Sequence, residues 1–255
     1  MTEKRIWIDN SIINWRCMSL GGTIIEEQKW RRAYIIWERA KVLIEKSGSE
    51  FDIGDGIANL KRSLNNRLKL IEEIYSFKLI GIDNKPKGYL EILEVFGIVR
   101  PLIMKKLLFI RNDIEHNDAK PPSLDRCLEL LDVVWYFLKS TDSMVQIERC
   151  EADFTLRNDT GINTQYGYEI KYDFNKVGQT VIRGWFPIEY VSEKPRENHF
   201  EVITQKFQGK EVSNISNNQK KYHEDKLDSD IFIMGNPLFT SKGKLEIIPK
   251  ILFSV

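Results

Sequence analysis

The sequence predicts an α+β protein, with an antiparallel helical bundle over residues 1–149 followed by a small antiparallel β domain over residues 150–255. Two observations predict this class. Through most of the first half, apolar residues recur every three to four positions, as they do on one face of a helix. After residue 150 apolar and polar residues alternate instead, most clearly from Tyr168 to Phe174, as they do in a half-buried strand.

The first two helices are predicted on either side of a short polar turn. Apolar residues at helical spacing from Trp30 to Ile44 predict the first helix, and the segment Ser47–Ser49 ends it. Asp55 is the predicted N-cap of the second helix, whose apolar face runs from Ile57 to Tyr75.

Two further helices complete the predicted bundle. The third covers residues 89–116, with a break near Arg100 because Pro101 cannot continue a helix. Ser123 is placed to cap the fourth, which carries the strongest apolar stripe of the chain and runs to about Leu138. Four amphipathic helices joined by short links are typical of an antiparallel bundle.

The second half is predicted to contain short strands separated by glycine and proline turns. The alternating segment at residues 168–174 is the clearest of them. The segment from Gln208 to Asp230 is polar and is predicted to be a long loop. Further candidate strands lie at residues 180–186, 199–206, 231–234 and 244–248.

Composition and charge narrow the classes of function. The 38 Lys and Arg residues are balanced by 37 Asp and Glu, and a net charge of +1 lacks the basic field of a typical DNA-binding domain. The three cysteines are widely spaced and form no CxxC pair, so neither a zinc site nor a disulfide framework is predicted. Without a signal-like leader or an apolar run of about 18 residues, a cytoplasmic protein that does not enter the membrane is expected.

The segment from Phe109 to Asp118 carries the candidate chemistry. On a helical wheel its polar residues separate from its apolar ones: Asn112 and His116 point away from the core, and Arg111 lies on the flank. The apolar residues that cluster within about 60° of one another on that wheel are Ile103, Leu107, Ile110 and Ile114.

Arg111 and His116 match the Arg-x4-His signature of HEPN domains, and the chain resembles that family over about residues 20–145. The polar residue after the arginine and the position of the motif at the end of a third long helix are also similar. The resemblance implies a HEPN-like bundle and a homodimer in which two copies of the motif face each other. It further implies cleavage of RNA without a metal or other cofactor, in a toxin or antiviral-defence role, with a possible protein antitoxin or regulator as partner.

These residue types suit attack by a ribose 2′-hydroxyl on the adjacent phosphate. His116 would accept or donate a proton near neutral pH. Arg111 would stabilise the charge that grows on the phosphate, and Asn112 would donate to a phosphate oxygen or orient the histidine. Lys105 and Lys106 are expected to widen the path for RNA.

A plainer interpretation stays open beside this one. Arg111 and His116 would then simply complement the dipole at a helix C-terminus, or the chain would be an inactive HEPN relative. Its function would be that of a non-catalytic dimerisation and binding module whose β domain senses a ligand or a protein. Asp118 stands where some HEPN toxins carry a tyrosine that accepts a nucleotide, so regulation by that route is not expected.

Overall fold

The computed structural model describes most of the chain. The described residues are 4–100, 102–117, 120–176, 179–208 and 231–254. They form two compact units. The β unit is made of Met1–Gly22, Leu79–Lys85 and Arg149–Val255, and the helical unit is made of Thr23–Lys78 and Pro86–Glu148.

Seven α-helices lie in the described residues, six in the helical unit and the last in the β unit. Their bounds are α1 Glu27–Glu45, α2 Glu50–Tyr75, α3 Tyr89–Val95, α4 Leu102–Asn117, α5 Leu124–Ser140, α6 Asp142–Gln146 and α7 Ser241–Phe253. In this described part, no helix is both long enough and apolar enough to cross a membrane.

Ten strands lie in the described residues. Their bounds are β1 Lys4–Asp9, β2 Arg16–Ser19, β3 Thr23–Ile24, β4 Ile147–Glu148, β5 Glu151–Arg157, β6 Asn163–Tyr172, β7 Thr180–Phe186, β8 Val191–Ser192, β9 His199–Gln208 and β10 Ile231–Leu238. The β unit holds one eight-stranded sheet in the order β2-β5-β6-β7-β10-β9-β1-β8, and every neighbouring pair is antiparallel. The short strands β3 and β4 pair with each other in the helical unit.

Strand β1 explains why the N-terminus belongs to the β unit. It inserts between β8 and β9, with Ile6 opposite Val202 and Ile8 opposite Phe200. All four side chains are buried because they share one face of the sheet, whereas the residues that alternate with them, among them Trp7 and Glu201, are less buried.

That buried face is covered in part by α7, which packs against β2 and β5. The helix is amphipathic, and Ile247, Ile248, Ile251 and Leu252 are its buried apolar residues. An aromatic cluster lies on the same face, where Phe154 stacks on Tyr168 with ring centroids 4.8 Å apart and Trp15 packs on Tyr168 and Phe186. Burial of these side chains removes apolar area from water and thereby stabilises the sheet.

Helices α1 and α2 form an antiparallel pair. Ser63 donates a hydrogen bond to the Ala33 carbonyl at 2.7 Å, and further along α2 Arg67 reaches back to the Trp30 carbonyl at 3.5 Å. The contacting residues advance along α2 from Ser63 to Arg67 and go back along α1 from Ala33 to Trp30. The two helices therefore run in opposite directions. Helix α5 packs on both members of the pair, and α4 packs on α2 and α5.

A buried cation joins α1, α2 and the end of α5. Arg67 is fully buried, and both of its terminal nitrogens donate hydrogen bonds to Oδ1 of Asp142 at 3.0 Å. Its Nη1 also donates to the Leu138 carbonyl and to the Thr141 hydroxyl. The hydroxyl of Tyr34 donates to the other oxygen of Asp142 at 2.8 Å. Burial, and then this bond to Asp142, raise the pKa of Tyr34. The network satisfies a charge that would otherwise be very unfavourable inside a helical core.

The α+β class and the change from helices to strands near residue 150 are confirmed. The break at Pro101 is also confirmed, since α3 ends at Val95 and α4 begins at Leu102. Strands β6, β7, β9 and β10 overlap the predicted segments at residues 168–174, 180–186, 199–206 and 231–234.

Three details differ from prediction. Residues 244–248 are part of helix α7, so the strand predicted there is wrong. The second helix is capped by Ser49, whose hydroxyl accepts from the Asp52 amide, and it begins at Glu50, so the cap predicted at Asp55 is also wrong. The β part is a large sheet that includes β1 and β2, so residues 1–22 group with it instead of with a helical domain over residues 1–149. The polar loop predicted at 208–230 lies outside the described residues except for Gln208.

Candidate functional site

The candidate residues lie on α4, whose inner face is anchored by Met104 and Leu107. Both are buried, with exposed fractions of 5% and 0%. Arg111 comes four residues after Leu107 and is half-buried, whereas the next residue, Asn112, is exposed. Arg111 is therefore attached near the core face of α4, whereas the side chain of Asn112 is exposed to solvent.

Arg111 and Asn112 are joined by a hydrogen bond. Nη1 of Arg111 donates to Oδ1 of Asn112 at 3.1 Å on the exposed surface of the helix. The guanidinium group thus reaches from a half-buried position toward the outer side of α4. One turn further, Asn117 donates to Oδ1 of Asp113 at 2.7 Å, so the C-terminal part of α4 carries several aligned polar groups.

His116 belongs to α4, but its side chain lies outside the described residues, as do those of Ile103 and Glu115. Its backbone position is four residues after Asn112, and residues at this spacing are neighbours on one face of a helix. The structure therefore places the backbones of Arg111, Asn112 and His116 within two turns of each other.

Four positions form what we call the outer stripe of α4: Lys105, Phe109, Asn112 and His116. They follow one another at intervals of four, three and four residues, which keeps them on one side of the helix. Phe109 is 72% exposed, a large apolar side chain in solvent. Phe109 is one of several large apolar side chains that the described structure leaves exposed, and the other three positions of the outer stripe are polar.

The two candidate lysines differ in their surroundings. Lys105 forms an ion pair with Glu91 of α3 at 2.7 Å, and this bond lowers the pKa of the Glu91 carboxyl. Lys106 is exposed and lies about 140° around the helix from Arg111. Of the two, Lys105 shares the outer stripe with Asn112, but Glu91 already neutralises its charge.

The sequence pattern did not identify a groove on the sheet of the β unit, lined by Asp153, Glu169 and Trp185 among others. Its residues come together only through the register of strands β5, β6 and β7, which no single segment of the sequence shows. Within the residues that the structure describes, no group of three or more His, Cys, Asp or Glu side chains is placed to hold a metal ion.

No known family model matches this chain, and no curated protein or solved structure is significantly similar to it.

Proposed function

We propose that this chain is a metal-independent endoribonuclease of the HEPN type, with Arg111, Asn112 and His116 as its catalytic residues. The observation that supports it best is the hydrogen bond from Arg111 to Asn112 at the exposed end of α4, one turn before His116. A guanidinium that donates to an amide, on a helix whose next turn carries a histidine, supplies the residue types that phosphate cleavage by a ribose hydroxyl needs.

The proposed reaction is an internal displacement at phosphorus. His116 takes the proton of the 2′-hydroxyl, O2′ bonds to phosphorus, and the bond from phosphorus to O5′ breaks as O5′ receives a proton. In a homodimer the partner's copy of the histidine would supply that proton. Arg111 stabilises the charge on the non-bridging oxygens, because its planar fork donates two parallel bonds.

The test is incubation of RNA with the purified full-length chain in EDTA, with DNA of the same sequence as control substrate. RNA should be cleaved to products that end in a 2′,3′-cyclic phosphate, and DNA should remain intact because it lacks the nucleophile. Cleavage should fall on acidification, since the histidine that accepts the proton becomes charged. A defence or toxin role, with a protein antitoxin or regulator, is the setting in which the HEPN resemblance places such an enzyme.

We expect a homodimer that forms through the outer stripe of α4. Phe109 motivates this, since 72% of it is exposed beside Asn112. Light scattering should give about twice the chain mass, and Phe109→Glu should shift the protein toward the monomer because a buried charge opposes association.

The matched control for that variant is Ile35→Glu. Ile35 is also a large exposed apolar residue, with 53% of it exposed, but it lies on α1. The helices on which α4 packs are α2 and α5. Ile35→Glu should leave the dimer intact. A wild-type monomer at micromolar concentration, or equal effects of both variants, would contradict an interface at the outer stripe.

The ion pair between Lys105 and Glu91 favours a second candidate function. It neutralises one of the two lysines expected to hold RNA, as a non-catalytic dimerisation and binding module would permit. Such a module would form the dimer and bind a ligand or protein through its β unit, and would not cleave RNA under any of the conditions above.

A further inference from the structure

A groove of about 150 Å³ lies on the face of strands β5, β6 and β7 opposite to the aromatic cluster. Strand register places its residues in two parallel rows. Thr155, Gly167 and Trp185 are directly opposite one another across the three strands. The adjacent row, two residues along each strand and therefore on the same face, consists of Asp153, Glu169 and Arg183.

Gly167 forms the floor of the groove. It has no side chain between Thr155 and Trp185, so the first row has a gap at its centre. A Cβ atom at this position would come within 2.7 Å of the Phe154 carbonyl oxygen, so the close approach of the strands excludes a larger residue. The gap is therefore built into the sheet and has room for one group the size of a side chain.

Two carboxylates lie side by side along the groove. Asp153 and Glu169 are directly opposite on β5 and β6, and like charges at such positions destabilise a sheet. Asp153 is half-buried, and among the described residues no hydrogen bond or ion pair compensates its charge. Burial raises the pKa of Asp153, and the carboxylates of Glu169 and Glu151 raise it further.

Strand register places no lysine or arginine position between these two carboxylates, because Asp153 and Glu169 are directly opposite each other on adjacent strands. Lys171 bonds to Glu151 at 2.5 Å. Arg183 is directly opposite Glu169 on β7, and Arg16 is directly opposite Thr155 on β2. None of these pairings places a cation directly opposite Asp153, and Trp185 supplies an aromatic ring on β7, two strands away from Asp153.

We propose that this groove binds an organic cation the size of a basic side chain, an alkylammonium or a guanidinium group. The charge would lie at Asp153 and Glu169, where a cation removes their repulsion and forms charge-assisted hydrogen bonds. The apolar part would lie over Gly167 against Trp185, whose ring attracts cations. The proposal concerns the β unit and does not depend on whether α4 cleaves RNA.

Calorimetric titration of the full-length chain tests the proposal. n-Butylammonium and methylguanidinium chlorides are the probes, and 1-butanol and N-methylurea are their neutral counterparts. At least one cation should bind saturably with a Kd of about 1 mM, as expected for a ligand with few atoms, and the neutral molecules should not. Absence of saturable binding by both cations, or equal binding by the neutral molecules, would overturn the proposal.

A peptide arm separates the two sources of this chemistry. Ala-Ala-Lys-Ala-Ala and Ala-Ala-Arg-Ala-Ala present the same groups on a polypeptide. Binding at least tenfold tighter than that of the free cations supports a basic segment of a protein as the natural ligand. Equal or weaker binding of the peptides supports a small molecule.

The decisive variant is Asp153→Asn, with Asp159→Asn as its matched control. Asp153→Asn should weaken cation binding about tenfold or more, because it removes the uncompensated charge. Asp159 is exposed in the turn between β5 and β6, and its replacement should change the affinity less than twofold. Equal affinities of the two variants would contradict the assignment of Asp153. The NMR signal of the Trp185 indole N–H is expected to shift when the cation binds. That signal is assigned by its absence from the spectrum of Trp185→Phe.

The same variant should be more stable than wild type at neutral pH, so that lost binding is not lost folding. The pKa of Asp153 is raised above its ordinary value of 3.8, which means that ionisation of this carboxyl opposes folding. The difference should be greatest above the folded-state pKa and should vanish as the pH falls below 3.8, where the group is protonated in both states. Urea unfolding followed by circular dichroism measures it, and a less stable variant at pH 7 would contradict this account of the groove.

Discussion

Arg67→Ala is expected to lower the free energy of unfolding of the helical unit by about 3–5 kcal/mol, the cost of breaking a buried ion pair from one side. The guanidinium is fully buried and makes bonds to Asp142, Thr141 and two backbone carbonyls. Its removal leaves Asp142, only 17% exposed, without its main partner. Such a loss is a large share of the stability of a typical domain.

The matched control is Lys69→Ala on the same helix. Lys69 is 78% exposed and its ion pair with Glu73 spans 3.7 Å in solvent, so its loss should cost less than about 1 kcal/mol. Urea unfolding followed by circular dichroism compares the two. Addition of Asp142→Asn to Arg67→Ala should recover part of the loss, because no charge is then left unpaired. Equal stability of Arg67→Ala and wild type would show that the network contributes little.

Arg111→Ala is expected to reduce RNA cleavage about 10²–10³-fold, the usual effect of removing a donor that stabilises charge in a transition state. Arg111→Lys should recover little of it, since an ammonium does not replace a bidentate fork. Single-turnover cleavage in EDTA gives the rates. Because Arg111 is half-buried, circular dichroism and melting temperature must accompany them.

Arg62→Ala controls for a general loss of positive charge. Arg62 is exposed on α2 and donates to Asn59, so its removal takes the same charge from the helical unit at another place. The rate should stay within about threefold of wild type, since only screened, long-range attraction is lost. Equal losses in Arg62→Ala and Arg111→Ala would assign the effect to charge in general and remove Arg111 from the proposed site.

Local sequence patterns predicted the helices well, because the apolar period of a helix can be seen within the helix's own segment of the sequence. The apolar residues of α1, α2 and α5 repeat at helical spacing. Pro101 breaks the third predicted helix for a local reason that does not depend on tertiary contacts. The cap of α2 was misplaced because Asp55 and Ser49 are both good capping residues. Only the geometry shows that the hydroxyl of Ser49 accepts from the Asp52 amide.

Pairing between distant segments was beyond local patterns. Strand β1 is short, and its stability comes from β9, where Ile6 meets Val202 almost two hundred residues later in the sequence. Residues 244–248 carry apolar residues that suit either a strand or a helix. Burial of Ile247, Ile248, Ile251 and Leu252 on one side of α7 decides for the helix.

The candidate sites divide in the same way. The Arg-x4-His motif lies within one helix, so the helical wheel and the resemblance to HEPN domains were enough to propose Arg111, Asn112 and His116 as candidates. The groove needs three strands in register, and no single segment reveals that Asp153 faces Glu169 beside Gly167. The pair of Lys105 with Glu91 likewise depends on how α3 meets α4.

The central claim is that the α4 motif cleaves RNA without a metal, and its most direct test is the cleavage rate of wild type against His116→Ala in EDTA. Wild type should cleave RNA to 2′,3′-cyclic phosphate ends. His116→Ala should be slower by about 10²-fold or more, the contribution of a general base, while its circular dichroism spectrum and its melting temperature stay close to those of wild type. A folded His116→Ala that cleaves at the wild-type rate, or a wild-type chain that leaves RNA intact, would contradict the claim.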